Sequence, residues 1–282
     1  RVLSVNKAVH TSRSALRTAR DSATRHWWVQ RQVQRAAQRR LLPRNFYRSI
    51  QPVGKHSVTT PAGNTITYMA RPNDAVAPHA IWPSEWERTS LDVFSQLACS
   101  ARLVLDIGAY SGVYSMVALA DSQADVIAVE PNPDILPNLR ENLELNDESG
   151  RGQVVEAAVS DSSGVERLFV PDDPTMAAIG GPVGVEVQLV TIDDIVGDRP
   201  VDLIKMDVEG VEVAALRGGF SVLQSHRPDV IVELLTPPAF QAVAELMASA
   251  GYSGVRHLGK DGPREVTSHV RDGQNFNFHF FG

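Results

Sequence analysis

The sharpest chemical signal in the sequence is a glycine-containing turn beside an acidic residue. Asp106 lies near the end of an apolar run, and the turn Gly108-Ala109-Tyr110-Ser111-Gly112 follows it. A turn that binds a pyrophosphate carries glycine where Tyr110 stands, so that the backbone can approach the phosphates. Because a carboxylate also repels phosphate, the pattern favours a ligand without phosphates, whose ammonium group Asp106 would bind.

A second carboxylate ends the next apolar run. Glu130 is followed by Pro131 and Asn132, and a carboxylate at this place can accept two hydrogen bonds from a ribose diol. An ammonium group at Asp106 and a ribose at Glu130 together describe S-adenosylmethionine, which we predict as the cofactor. In the alternative interpretation the segment is only a tight turn and Asp106 only caps the following helix.

A second group of charged residues lies further along the chain. Lys205, Asp207 and Glu209 alternate near one apolar run, and Glu233 ends another. Alternate residues of a strand share one face, so we expect the first three side chains to lie together. If the predicted cofactor gave its methyl group to a hydroxyl, the transfer would need an oriented nucleophile and a base that accepts its proton. Asp207, Glu209 and Glu233 are the candidate bases, unless Asp207 or Glu209 only caps a helix and pairs with Lys205.

A divalent metal would be another way to activate a hydroxyl. A metal lowers the pKa of a bound hydroxyl, and Asp207, Glu209 and Glu233 offer oxygen ligands of the kind that magnesium prefers. The sequence leaves both solutions open. We expect chemistry without a metal, because no Asp-Asp pair or histidine pair at ligand spacing accompanies these residues.

These residues lie in a region that alternates apolar strands with helices. After a helix at 85–97, the expected strands are 102–107, 126–129, 154–159, 201–206 and 230–235, with helices at 112–120, 133–146, 211–217 and 237–250. This alternation predicts an α/β fold with a parallel sheet covered on both faces. Segments 164–170 and 185–190 should pair, and the alternating tail at 274–281 predicts an antiparallel edge strand.

Charge divides the chain near residue 50. The first 50 residues hold 12 basic residues against Asp21 alone, a net charge of +11, which leaves −17 for the remainder of a chain of net charge −6. The absence of glycine and of proline before Pro43 favours a long helix. We therefore predict a basic helical arm at 1–50, a linker with a small β-hairpin at 51–84 and the α/β domain at 85–282.

Composition excludes several classes of protein. The single cysteine, Cys99, rules out an intramolecular disulfide framework and a cysteine-rich zinc module. The sequence also lacks a run of about 18 apolar residues that could span a bilayer. We expect a cytoplasmic protein.

The motifs together resemble the FkbM-type family of S-adenosylmethionine-dependent methyltransferases. The matching stretches are 105–115, 129–133, 157–161, 191–195 and 202–212. The most specific of them is the Lys-x-Asp-x-Glu-Gly-x-Glu block that begins at Lys205. Two positions depart from the family pattern: Tyr110 stands where asparagine is frequent, and Leu234 and Leu235 follow Glu233 where a histidine is common.

The resemblance implies a Rossmann-like class I methyltransferase fold, with a seven-stranded, mostly parallel sheet and helices on both faces. It also implies methylation, within the EC 2.1.1 class, of a hydroxyl on a sugar, a polyketide or a lipid-linked acceptor. We predict Lys205, Asp207, Glu209 and Glu233 as the catalytic set. The predicted cofactor contacts are Asp106, Gly108, Ala109, Tyr110, Gly112, Tyr114, Glu130, Pro131, Asn132, Ala157, Ala158 and Asp207.

The basic arm leaves other functions open. It could hold RNA phosphates for an RNA methyltransferase, or it could attach a non-catalytic protein to a membrane surface through its arginines and the Trp27-Trp28 pair. It could also pack on the acidic domain or on a second subunit of a homodimer. An acidic domain repels a phosphate backbone, so the expected partner is a small hydroxyl compound, glycan or lipid-linked, rather than a nucleic acid.

Glu130 gives the first test of the predicted cofactor site. We expect Glu130→Ala to weaken S-adenosylmethionine binding by more than tenfold, on the order of 1.4 kcal/mol, because the ribose diol loses its acceptor. Equilibrium titration of the cofactor measures this loss. An unchanged affinity would remove Glu130 from the site.

Overall fold

The computed structural model describes residues 26–47, 50–72, 74–82, 85–170, 177–180, 183–273 and 275–282. These residues form two compact units. Residues 26–57 and 68–82 belong to the smaller unit, and residues 58–67 and those from 85 onward belong to the larger one. Within the described residues, none of the helices is both long and apolar enough to cross a membrane.

The smaller unit contains three short helices and most of a β-hairpin. The helices are α1 (Trp27–Gln38), α2 (Arg44–Tyr47) and α3 (Ala77–Ile81), and the hairpin strands are β1 (Gly54–Thr59) and β2 (Thr65–Ala70). The first part of the predicted long helix, residues 1–25, lies outside the described residues. For the described part the prediction of one helix is wrong: α1 ends at Gln38, and Arg40 adopts a left-handed φ of 56° that an α-helix cannot continue through.

The tip of the hairpin belongs to the larger unit because its polar side chains bond to a helix end there. Thr60 and Asn64 both donate hydrogen bonds to the carboxylate of Asp121. Asn146 bonds through its side chain to the backbone N–H and C=O of Thr67. The compact units therefore divide the chain differently from the three predicted segments, which had the whole hairpin in the linker.

The larger unit is built on an eight-stranded sheet and a smaller four-stranded sheet. Its strands are β3 (Leu103–Ile107), β4 (Asp125–Val129), β5 (Gly152–Val155), β6 (Ala158–Val159), β7 (Gly164–Phe169), β8 (Ala178–Ile179), β9 (Val185–Val190), β10 (Leu203–Met206), β11 (Asp229–Glu233), β12 (Gly254–Gly259), β13 (Gly262–Glu265) and β14 (Asn277–Phe281). The main sheet has the order β13-β12-β14-β11-β10-β3-β4-β5, and the smaller sheet has the order β6-β9-β7-β8.

Helices cover both faces of the main sheet, as the sequence predicts. They are α4 (Arg88–Ala98), α5 (Val113–Asp121), α6 (Leu136–Glu144), α7 (Ile192–Val196), α8 (Glu212–Arg217), α9 (Phe220–His226) and α10 (Pro237–Ser249). Side chains of successive strand residues point to opposite faces. Leu105 and Ile107 pack with α7–α10 in one apolar core, while Val104 packs with α4–α6 in the other.

The strand pairing confirms the α/β, Rossmann-like prediction and corrects three details. Strands β5, β4, β3, β10 and β11 are parallel to one another. The tail strand β14 is not at an edge, because it lies antiparallel between β11 and β12. The segment expected as one strand at 154–159 divides into β5 of the main sheet and β6 of the smaller sheet, and β13 adds an eighth strand at the edge.

The smaller sheet contains the strand pair that the sequence predicts at 164–170 and 185–190. Strands β7 and β9 run antiparallel, with Glu166 opposite Val187 and Val165 opposite Gln188. Leu168 and Val187 are buried and form a small apolar core with Ala158. This sheet lies between β5 and β10 in the chain order.

The turn after β3 lies tightly against the ends of the two neighbouring strands. The N–H groups of Gly108 and Ala109 both donate to the carbonyl of Val129, and the N–H of Asp207 donates to the carbonyl of Ile107. Gly108 has a φ of +76°, and a Cβ atom there would lie 1.8 Å from the carbonyl oxygen of Asp207. Only glycine fits at this position, for both conformational and steric reasons.

Gly108 and Gly150 have similar φ angles but different surroundings, so substituting each by alanine separates steric overlap from backbone strain. Gly150 has a φ of +71° with no atom near the position of a Cβ, so Gly150→Ala should lower the free energy of unfolding by about 1 to 2 kcal/mol. Gly108→Ala should lower it by about 3 kcal/mol or more, because overpacking adds to the same backbone strain. Urea unfolding of both variants measures the difference. Equal losses would contradict the close approach of Gly108 to Asp207.

Candidate active site

Glu130 bonds to the turns that follow β3 and β4 at the predicted cofactor site. It follows β4 and is buried, and its Oε2 accepts from the N–H of Tyr110 at 2.9 Å while its Oε1 accepts from the N–H of Asn132 at 2.8 Å. Burial raises the pKa of Glu130 to about 7. Each carboxylate oxygen can accept a second hydrogen bond, so the group can still bind a diol.

Asp106 is the other buried carboxylate at this end. Its Oδ2 accepts from the N–H of Ser115 at 2.9 Å and from the hydroxyl of Ser115 at 2.6 Å. Burial raises the pKa of Asp106 to about 6. The helix contact that the sequence left as an alternative is therefore present, since Ser115 lies in the first turn of α5. The predicted contact with an ammonium group stays a prediction.

The other predicted cofactor residues surround the carboxyl ends of β3, β4 and β5. Gly112 has a φ of +89° and precedes α5, and Tyr110 is also left-handed, with a φ of 49°. Buried small residues line the same edge of the sheet. They are Ala109, Ala157 and Ala158, with Pro131 between the buried Glu130 and Asn132.

Asn132 leaves a buried donor unsatisfied among the described residues. Its Oδ1 accepts from the N–H of Asp134, while its Nδ2 is buried and has no hydrogen-bond partner. A buried amide N–H₂ without a partner is costly unless a ligand accepts from it. Together with the carboxylates of Asp106 and Glu130, this orphaned donor fits a ligand that carries a ribose, a heterocyclic base and an amino group.

Three carboxyl groups lie close together near the ends of β10 and β11. Carboxylate oxygens of Glu87, Asp207 and Glu233 all lie within 4.8 Å of one another. Asp207 directly follows β10, Glu233 ends β11, and Glu87 precedes α4. The sequence predicted Asp207 and Glu233, whereas Glu87 carries no motif that could have identified it.

Lys205 places a cation beside this carboxyl trio. Its side chain is only 1% exposed, and its Nζ lies 3.4 Å from Asp207 Oδ2 and 4.9 Å from the centre of the Tyr114 ring. Burial by itself would lower the pKa of Lys205, but the surrounding carboxylates, first Asp207 and then Glu87, raise the pKa above its usual value. The lysine is therefore protonated at neutral pH.

Glu87 is held by two polar partners from different parts of the chain. The hydroxyl of Tyr114 donates to Glu87 Oε2 at 2.7 Å, and the side chain of Asn277 also bonds to Glu87. Asn277 is buried in β14, directly opposite Glu233 of β11. Burial raises the pKa of Glu87 and raises that of Tyr114 well above its usual range. Tyr114, predicted as a cofactor contact, thus bonds through its hydroxyl to the carboxyl trio.

Glu233 carries a proton at neutral pH. Burial, and then the negative charge of Asp207, raise the pKa of Glu233 to about 9. The protonated carboxyl donates a hydrogen bond to Asp207, as expected when two acids lie too close together to ionise together. Glu233 is therefore a hydrogen-bond donor in this cluster.

Glu209 does not lie where the sequence analysis placed it. The strand ends at Met206, so the alternation argument that set Glu209 on the same face as Lys205 is wrong. Glu209 lies in the turn before α8 and is not a member of the carboxyl trio. Its catalytic role stays a prediction without this geometric support.

The carboxyl groups of Glu87, Asp207 and Glu233 have the spacing of metal ligands. Lys205 and the proton on Glu233 already offset part of their negative charge. Glu87, Asp207 and Glu233 could each offer one oxygen to a cation. Lys205 Nζ, however, lies 3.4 Å from Asp207 Oδ2, and Glu233 is protonated with a pKa of about 9. A divalent ion would have to displace a proton and approach the ammonium group.

The fold and the site define a class of protein. An order in which β14 is inserted antiparallel beside five parallel strands, with acids at the ends of β3 and β4, is that of a class I methyltransferase. Residues 106–253 match the family model described as the methyltransferase FkbM domain. The chain belongs to this family, and the resemblance found in its motifs is confirmed. Membership implies S-adenosylmethionine as the methyl donor.

Individual relatives are distant. Methyltransferase sdnD of Sordaria araneosa is 25% identical over 203 residues, covering 58% of this chain and 78% of that protein. Hexuronic acid methyltransferase AglP of Haloferax volcanii is 30% identical over 187 residues, covering 61% of this chain and 74% of that protein. The crystal structure of an FkbM methyltransferase from Methylobacillus flagellatus KT is 20% identical with a TM-score of 0.48, and the match covers 67% of this chain and 48% of that one.

The raised pKa of Glu233 predicts how the free energy of unfolding depends on pH. The pKa of Glu233 is about 9 when folded and about 4.5 as its ordinary value, so between these values the folded protein holds a proton that the unfolded chain has released. The free energy of unfolding should fall as pH rises through this window, by up to about 1.4 kcal/mol per pH unit. Glu233→Gln cannot release this proton, and its stability should fall less steeply in urea unfolding from pH 5 to pH 9.

The control for this experiment is Glu245→Gln, which changes an exposed glutamate of α10. Its pH dependence should run parallel to that of the unaltered protein. If Glu233→Gln also ran parallel, Glu233 would not hold the proton.

Proposed function

We propose that this protein is an O-methyltransferase that uses S-adenosylmethionine to methylate a hydroxyl group of a sugar, polyketide or lipid-linked acceptor. The observation that carries the proposal is the cluster of the buried Lys205 with the partly exposed Asp207 and Glu233 at the carboxyl ends of β10 and β11. An alcohol is a poor nucleophile without a positioned base. The cluster supplies a carboxylate base in a fixed position.

The cofactor end orients the methyl donor in this proposal. Glu130 binds the ribose diol, Asp106 binds the amino group, and the free Nδ2 of Asn132 donates to the ligand. When bound, S-adenosylmethionine supplies an electrophilic methyl group. The turn around Gly108 and Tyr110 provides the backbone surface on which it lies.

Asp207 is the base of the proposed reaction. Its side chain is 36% exposed, whereas that of Lys205 is 1% exposed, so Asp207 is the member of this pair that an acceptor can reach. The acceptor hydroxyl donates a hydrogen bond to the Asp207 carboxylate, and its proton moves to that carboxylate as the new carbon–oxygen bond forms. A carboxylate is a strong enough base for this step, because the hydroxyl becomes strongly acidic as its oxygen is alkylated.

Lys205 and Glu233 position the base. The ammonium group of Lys205 and the carboxyl proton of Glu233 both contact Asp207, which fixes the orientation of the Asp207 carboxyl group. The same ammonium group takes the place of a metal ion, and we propose that the reaction does not depend on a divalent cation.

The likeness to AglP favours a sugar hydroxyl among the proposed acceptors, since that relative is named for its action on hexuronic acid. RNA is disfavoured by the charge of the site. Asp106, Glu87 and Asp207 lie around the buried ammonium group of Lys205, and such an acidic site repels a phosphate backbone.

Transfer of an isotopically labelled methyl group tests this function. We expect the protein to label hydroxyl acceptors from a panel of sugars and glycolipids, with activity retained in EDTA. Asp207→Asn should lower kcat by about 100-fold or more, the usual contribution of a general base. Mass spectrometry of the product locates the methyl group on an oxygen.

The matched control is Asp198→Asn, an exposed aspartate outside the site, which should keep the full kcat. Retained turnover in Asp207→Asn would show that another group is the base. Cofactor binding without transfer to any hydroxyl acceptor would contradict the proposal and favour a non-catalytic binding protein. Loss of activity in EDTA with recovery in magnesium would replace Lys205 by a metal in the mechanism.

A further inference from the structure

Helix α1 of the smaller unit buries two glutamines and exposes a tryptophan. Its side chains of Gln30 and Gln34 are 1% and 5% exposed, whereas Trp28 is 58% exposed. A helix on the surface of a globular protein normally turns its apolar residues inward and its polar residues outward. Gln30, Gln34 and Trp28 depart from this pattern, and the contacts of the two glutamines explain why.

The buried glutamines fix the rotation of the helix. Gln30 donates to the carbonyl of Gln51 at 3.0 Å and accepts from the N–H of Val53 at 2.7 Å. Gln34 donates to the carbonyl of Ser57 at 2.8 Å. Because buried polar groups with partners are costly to break, α1 cannot rotate to bury Trp28.

The outward side of the helix combines tryptophan with arginine. Positions three to four residues apart share one face of a helix, so Trp28, Arg35 and the C-cap residue Arg39 lie along the same side, and all three are exposed. Leu41, just after the helix, is 71% exposed. We name the surface formed by Trp28, Arg35, Arg39 and Leu41 the Trp-Arg face.

The charge around this surface has one sign. Residues 26–50 contain six arginines and no aspartate or glutamate. Basic residues near an anionic bilayer each contribute about 1 kcal/mol, and tryptophan is enriched at the level of the lipid headgroups. Helices with arginines beside exposed apolar residues bind in the plane of such an interface.

We propose that the Trp-Arg face binds the surface of a membrane that contains anionic lipids. The exposed Leu41 favours lipid over RNA as the partner. An aliphatic side chain cannot bond to a phosphate or stack on a base, whereas its burial at the boundary of the acyl chains is energetically favourable. At 12 residues, α1 is too short to span a bilayer and lies on it. The proposal does not depend on the methyl acceptor or on the identity of the base.

Vesicle sedimentation of the full chain tests the proposal. The protein should bind vesicles of phosphatidylcholine with about one third phosphatidylglycerol, and should bind pure phosphatidylcholine vesicles much more weakly. Arg35→Glu with Arg39→Glu should weaken binding by at least about tenfold, since each basic residue contributes about fivefold near an anionic surface. Trp28→Ala with Leu41→Ser should weaken binding several-fold at unchanged net charge.

The charge control is Lys260→Glu with Arg264→Glu, two exposed residues on either side of the β12–β13 turn. It changes the net charge equally and should leave vesicle binding unchanged. Circular dichroism of each variant confirms that its fold is intact. Equal loss in the control and in the arginine variant, or no binding to anionic vesicles, would overturn the proposal. Binding to RNA but not to vesicles would overturn it in favour of a nucleic-acid arm.

Discussion

The whole site depends on one buried cation. Burying an ammonium group without partners costs several kcal/mol, and Lys205 lies at the centre of the sheet with almost no exposure. It stands in register with Asp106 of the neighbouring β3. Negative charge from Asp207, Glu87, Glu233 and Asp106 stabilises it. Because Asp106 is a predicted cofactor contact and Asp207 is the proposed base, a single charge connects the two halves of the candidate site.

The sequence predicted the parts of the molecule in which local pattern and environment agree. Apolar runs that alternate with helical segments could form only a covered parallel sheet, and acids at the ends of those runs had to meet at one edge of it. Asp106, Glu130, Lys205, Asp207 and Glu233 lie at or next to the carboxyl ends of their strands for this reason.

Predictions from the sequence were wrong where polar residues expected at the surface are buried. The tail alternates apolar and polar residues, as an edge strand with one wet face does, yet Asn277 and His279 are both buried. One polar group of each meets a partner inside the protein, Glu87 for Asn277 and Asp229 for His279, while Asn277 Oδ1 and His279 Nδ1 find none among the described residues. Helix α1 departs from the expected pattern in the same way, since Gln30 and Gln34 are buried beside Ala37. A polar residue marks solvent only if the fold offers it no buried partner.

Glu87 and Asn277 lie outside residues 106–253, the region that defines the family. Yet Glu87 contributes to the compensation of the Lys205 charge, and Asn277 bonds to Glu87. The region matched by the family model is therefore narrower than the candidate site. A fragment trimmed to that boundary would keep the lysine and lose part of its counter-charge, so protein engineering that exchanges or shortens this domain must carry the flanking segments with it.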